Sequence, residues 1–129
     1  VEIKVDSTKI SLLFEVLDST STTGGRKTGL VYNTAGLTAY YIRAGSSAVQ
    51  ITLAPLASPG AAWTSGGFIE VDATNAPGVY RLDVPNEAFA RGAKSVAIIL
   101  KGASGMAQVS KEIRLTVFDP DNPSLGLSV

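Results

Sequence analysis

The feature that most restricts this chain is side-chain alternation of period two, repeated in short runs. Ile10, Leu12, Phe14 and Val16 alternate with Ser11, Leu13, Glu15 and Leu17. Near the other end, Val109, Lys111, Ile113, Leu115 and Val117 alternate with Ser110, Glu112, Arg114, Thr116 and Phe118. Successive side chains of a strand point to opposite faces, so each run reads as a strand with one face turned to a core. Leu13 and Leu17 make the second face of the first run partly apolar, and that face is expected to be half covered.

Between these runs lies a denser stretch, Gly67–Leu100, with three β-rich segments: Phe68–Val71, Val79–Val84 and Ser95–Leu100. The first gap ends in Ala76-Pro77-Gly78. Proline sets φ and glycine accepts positive φ, so Pro77-Gly78 is expected at the centre of a type II turn. The second gap carries Asn86 ahead of Glu87–Arg91 and then Gly92, which reads as one helical turn near residues 86–91 with an Asn cap and a glycine stop.

The remaining segments fit the same rhythm. Val1–Asp6 alternates apolar and polar and is expected as an N-terminal arm or edge strand over residues 1–8, able to add a strand to a neighbour. Asp18–Gly29 is rich in Ser, Thr and Gly and should be an exposed loop, mobile or ordered only against a partner. Leu30–Tyr32 reads as a short strand. Leu37–Arg43 and Val49–Leu53 pair as a hairpin through Ala44–Ala48, with bulk on both faces of the first run. Ala54–Gly66 reads as a Pro/Ala/Gly/Ser connection holding the single tryptophan, Trp63. The domain proper is expected over residues 9–118, and 119–129 as a Pro-rich linker. About seven or eight strands with turns between them predict an all-β fold, an antiparallel immunoglobulin-like β-sandwich, with a closed barrel as the second architecture.

Composition narrows the chemistry. At 129 residues the chain is the size of one domain. It contains no cysteine and no histidine, so thiolate nucleophiles, disulfides and imidazole bases are excluded. The 11 basic and 11 acidic residues cancel and are spread evenly, which argues against a nucleic-acid partner. The longest apolar runs are a few residues, far short of the roughly 20 needed for a membrane helix. A chain opening at Val1 rather than Met reads as a processed product or an excised piece.

Each candidate site competes with a plain structural use. Ser7 with Lys9, and Ser110 with Lys111, are the residue types of a Ser–Lys dyad, but neither pair sits in a motif and the second would split across a strand. Glu70, Asp72 and Asp83 are the residue types of a glycosidase pair, but a solvated polar face of half-buried strands explains them without chemistry and is the reading taken. Asp119, Asp121 and Asn122 start like a calcium loop but lack its glycine and closing glutamate. Tyr32, Tyr40, Tyr41 and Trp63 either stack on a sugar or pack in the core, and Trp63 is expected to plug an open end of the sandwich. Neither catalytic nor cofactor nor metal residues are assigned, and the chain is read as no enzyme.

The phrases Phe14–Leu30 (FEVLDSTSTTGGRKTGL), Leu37–Gly45 (LTAYYIRAG), Ala61–Pro85 and Ser95–Ala103 resemble a module of tailed-phage and prophage virion proteins. The likeness in style is to the immunoglobulin-like N-terminal domain of phage upper-baseplate proteins, over nearly all of Lys9–Phe118. The resemblance implies a structural role: docking a tail, fibre or decoration in a virion, with partners among copies of itself, trimers favoured, and other virion proteins. It carries no catalytic residues. The alternative from the residues is a carbohydrate-binding module using Trp63 and Tyr40 or Tyr41 on a surface glycan.

Overall fold

A computed structural model describes residues 2–117 and gives an all-β protein. The strands are β1 (Glu2–Lys4), β2 (Ile10–Glu15), β3 (Thr38–Arg43), β4 (Ala48–Ile51), β5 (Ala54–Pro55), β6 (Gly67–Asp72), β7 (Ala76–Val84), β8 (Ser95–Lys101) and β9 (Val109–Thr116). They form a five-stranded sheet in the order β1-β9-β8-β3-β4 and a four-stranded sheet in the order β2-β7-β6-β5. Both sheets are mixed rather than antiparallel throughout: β1–β9 and β5–β6 are parallel, and the other ladders are antiparallel. Each parallel pair joins strands far apart in sequence or separated by a long connection, where no hairpin imposes direction.

One apolar core draws on both sheets. Phe14, Phe68, Tyr80, Leu82 and Val84 come from the four-stranded sheet, and Ala39, Tyr41, Val96, Ile98, Leu100 and Ile113 from the five-stranded sheet. The Phe68 and Tyr80 rings stack with centroids 5.1 Å apart and planes 6° from parallel. Burying a side chain of this size contributes about 1.5–3 kcal/mol, so the alternating core positions dominate the stabilisation. Leu13 (55% exposed) and Leu17 (42% exposed) stay largely in solvent, so the second face of that run is not covered as expected.

Several local expectations are corrected. Pro77-Gly78 does not form the turn. Ala73–Asn75 turn instead, because Asp72 Oδ1 accepts from the backbone N–H of Thr74 and Asn75, while Pro77 and Gly78 lie inside β7. Gly78 still has to be glycine, because its φ is 79° and a Cβ there would stand 2.5 Å from Arg26 Cβ. The helical turn is a 3-10 helix over Asn86–Phe89, with Pro85 at its N-cap position, no side-chain cap, and its end at Ala90, short of Gly92. The Asn86 side chain accepts from Lys9 N–H at 2.9 Å instead of capping, and Arg43 donates to the carbonyls of Glu87 and Arg91 at the far end.

Leu30–Tyr32 is not a strand: Leu30 is buried, then the chain turns, with Thr34 N–H donating to the Val31 carbonyl. The N-terminal segment forms the expected edge strand, β1, which pairs with β9. Val5 is buried, its N–H donates to Thr116 O at 2.7 Å, and Asp6 N–H donates to Phe89 O at 2.7 Å. The second strand of the Leu37–Ile51 hairpin ends at Ile51, after which β5 crosses to the other sheet. Gly66 permits that crossing, because a Cβ there would collide with the Thr52 carbonyl.

Candidate interaction surfaces

The two sheets treat their outer faces oppositely. On β7 the core-facing Tyr80, Leu82 and Val84 alternate with Arg81 and Asp83, which are therefore expected in water. Both are buried, Asp83 completely. The connection over residues 56–66 lies across them as a strap. Arg81 Nη1 donates to the carbonyls of Pro59 and Ala61, each at 2.8 Å. Asp83 accepts from Arg81 Nε at 2.8 Å and Nη2 at 2.9 Å, from Ser11 Oγ at 2.6 Å and from Thr64 N–H at 3.0 Å. Trp63 Nε1 completes the strap by donating to the Ile10 carbonyl at 3.2 Å. A buried pair of this kind is tolerable only when each charge is paired and hydrogen-bonded, as here.

No described segment crosses the outer face of the five-stranded sheet. Register places Tyr40 beside Ile99 and Ile42 beside Ala97, and all four are half-buried. Lys101 Nζ stands 5.6 Å from the Tyr40 ring centroid. Tyr40, Ile42, Ala48, Ile99, Lys101 and Gln108 enclose a shallow depression of about 160 Å³. Ile42 has a signal in the sequence, since it flanks core residues in a run bulky on both faces.

Open edges add to this. β1 pairs with Arg114–Thr116 of β9, and among the described residues no strand pairs with Val109–Glu112 on that side. Next to it, Lys111 Nζ donates to the Leu13 carbonyl at 2.7 Å and lies 5.2 Å from the Phe14 ring centroid. A lysine set into an edge in this way hinders strand addition there.

The remaining sequence candidates are dispersed. Ser7 Oγ donates to Lys4 O, and Lys9 is exposed with a positive φ of 55°. Ser110 faces solvent while Lys111 serves the edge described above. The three acids do not converge: Glu70 accepts from Gly29 and Gly78 N–H, Asp72 holds its turn, and Asp83 sits under the strap on the opposite face from Glu70. Asp83 is thus not part of a solvated polar face. Asp119, Asp121 and Asn122 lie outside the described residues.

The aromatic candidates are divided too. Tyr41 points into the core, Tyr40 lies on the outer face of the five-stranded sheet, and Trp63 lies in the strap on the other sheet, so it plugs no sandwich end. Tyr32 lines a different hollow of about 420 Å³ with Leu30, Val31, Pro55, Leu56 and Phe68.

The loop Asp18–Gly29 is ordered against its own chain. Asp18 N–H donates to Gly25 O, Lys27 N–H donates to Val16 O, and Asp18 pairs with Met106 across a β-bridge. Thr20 hydroxyl and N–H hold the Asp18 carboxyl below its usual pKa. The Arg91 guanidinium does the same to Asp6 through a 2.6 Å contact. Burial pushes the Tyr80 phenol up, against the opposing effect of the Leu30 N–H. Comparison of the chain with protein-family models, curated proteins and solved structures gives no match.

Proposed function

We propose that this chain is a non-catalytic docking module of a phage-type virion, acting through protein–protein contacts on an immunoglobulin-like β-sandwich. The observation that carries the reading is how the polar and apolar groups are distributed. The acids Glu70, Asp72 and Asp83 are spent on backbone N–H groups and on Arg81, whereas no described segment covers the apolar outer face of the five-stranded sheet. Chemistry at a reactive centre calls for convergent titratable groups, and docking calls for an apolar patch with a polar rim.

The strand order supports the architecture. If β2, β3, β6, β7, β8 and β9 stand for strands B, C, D, E, F and G, then β2-β7-β6 is the B-E-D order and β9-β8-β3 the G-F-C order of immunoglobulin-like sandwiches. β4 then extends the C edge and β1 the G edge. The virion assignment draws on the resemblance of Phe14–Leu30, Leu37–Gly45 and Ala61–Pro85. Mass spectrometry of particles purified from the source culture tests it: peptides of this chain should appear at the stoichiometry of a structural component. Their absence from intact particles refutes the assignment.

A further inference from the structure

We propose that the outer face of the five-stranded sheet is a self-docking surface, on which a second copy of this chain packs face to face across a two-fold axis near Ile99. The inference rests on the reading of the chain as a protein–protein module, but not on its place in a virion. Its first support is the contrast between the two sheets. The four-stranded sheet brings its own cover, pinned by Arg81 and Asp83, while Tyr40, Ile42, Ala97 and Ile99 form an apolar centre that no described segment crosses. Around that centre stand Lys101, Gln108 and Glu112, the polar rim of a docking patch.

The second support is the placement of the rim charges, which selects a copy of the same chain as the occupant. Strands rise about 3.3 Å per residue and lie about 4.8 Å apart. Lys101 is therefore about 7 Å beyond Ile99 along β8. Glu112 is opposite Ala97 on β9, one strand over and about 7 Å to the other side of Ile99. The opposite charges thus flank the apolar centre. In a two-fold contact, residue i meets j and j meets i. An axis lying in the face, close to Ile99 and between Tyr40 and Ile42, exchanges the two flanks. Lys101 then meets the partner's Glu112, and Glu112 meets the partner's Lys101. Tyr40 meets the partner's Ile42, and the two copies of Ile99 meet each other. Like charges are not opposed, and Arg114, farther out on β9, falls beyond the apolar centre. This two-fold contact replaces the three-fold order implied by the resemblance.

Sedimentation velocity of the whole chain over micromolar to millimolar concentration tests the proposal. The expected result is a monomer–dimer equilibrium, with the mass doubling as concentration rises. Lys101→Glu should weaken it at least about tenfold, because it opposes two carboxylates at both ends of the contact. The double variant Lys101→Glu/Glu112→Lys should return the dissociation constant to within about threefold of the wild type if the two charges meet in trans. Ile99→Lys should leave a monomer with an unchanged circular dichroism spectrum, since Ile99 points away from the core. Lys101 is exposed, so its variants read the interface even if Ile99→Lys fails to fold. A wild-type monomer at every concentration overturns the proposal and leaves the virion reading to the particle experiment. A trimer overturns it as well, and so does a dimer insensitive to the charge reversal.

Discussion

Replacing Asp83 by Ala is the sharpest probe of how the strap is held. The carboxylate has no exposed surface and accepts from Arg81 Nε and Nη2, Ser11 Oγ and Thr64 N–H. Its removal strands the charge of Arg81, a residue only 9% exposed, leaving its guanidinium the two carbonyls reached by Nη1. Breaking a buried ion pair by deleting one partner costs about 3–5 kcal/mol, a large share of the roughly 5–15 kcal/mol by which a domain is stable. By contrast, the pair Arg26–Glu15 at 3.0 Å is exposed on both sides and contributes about 0–1 kcal/mol.

Urea denaturation followed by circular dichroism and by Trp63 fluorescence reads both the global and the local effect, because the single tryptophan lies in the strap. With m near 2 kcal/mol/M, a 4 kcal/mol loss lowers the midpoint by about 2 M. In Asp83→Ala the fluorescence change should precede the dichroism change, as the strap detaches before the sheets separate. The double variant Arg81→Met/Asp83→Leu should recover a large part of the loss, since it leaves no unpaired charge. A cost below about 1 kcal/mol for Asp83→Ala, with the two signals coincident, would refute the view that this pair fastens the strap.

Other outcomes follow from the same geometry. Gly66→Ala should cost more than the roughly 1–2 kcal/mol of a left-handed residue, because its Cβ also meets the Thr52 carbonyl; differential scanning calorimetry checks this. Tyr80→Phe loses the bonds to Lys27 O at 2.6 Å and from Leu30 N–H at 3.3 Å and should cost about 1 kcal/mol at neutral pH. Because the Tyr80 pKa is raised above 10.0 in the fold, its contribution is complete below pH 10.0 and is lost as pH rises through the folded value. Alkaline melting curves should therefore fall less steeply in Tyr80→Phe. The carboxyls of Asp6, held down by Arg91, and Asp72, held down by Asn75, sit below 3.8 in the fold. Their contribution is present above pH 3.8 and is lost as pH falls through the lower folded values, so Asp72→Asn should flatten the acid limb of melting temperature against pH.

The elements that could be read from the sequence are those governed by local alternation. β2, β3, β8 and β9 fall where Phe14, Tyr41, Ile98 and Ile113 alternate with polar or less buried neighbours, and the hairpin around Gly45 joins β3 to β4 as its composition suggests. Errors arose where a specific side-chain hydrogen bond or close approach overrides local composition. Pro77-Gly78 has the composition of a turn, yet the Asp72 carboxylate closes the turn earlier and Gly78 serves a close approach to Arg26. Asn86 has the composition of a cap, yet its side chain is taken by Lys9. The β1–β9 and β5–β6 pairs leave no period or turn signal, because parallel pairing depends on where distant strands end.

The surfaces divide in the same way. Sequence alone determined that the fold is all-β, that its inward positions alternate, and that imidazole and thiol chemistry are absent. Side-chain direction in a strand has a period of two and depends only on the strand's own backbone. The tertiary structure alone decided that Arg81 and Asp83 are buried beneath Pro59–Thr64 while Tyr40, Ile42 and Ile99 are crossed by no described segment. Alternation sorts residues onto two faces, but whether an outer face meets water or chain depends on the path of a connection that has no periodicity of its own. Burial of a charge is a property of what lies over it, and that is settled only when the sheets and their strap are in place.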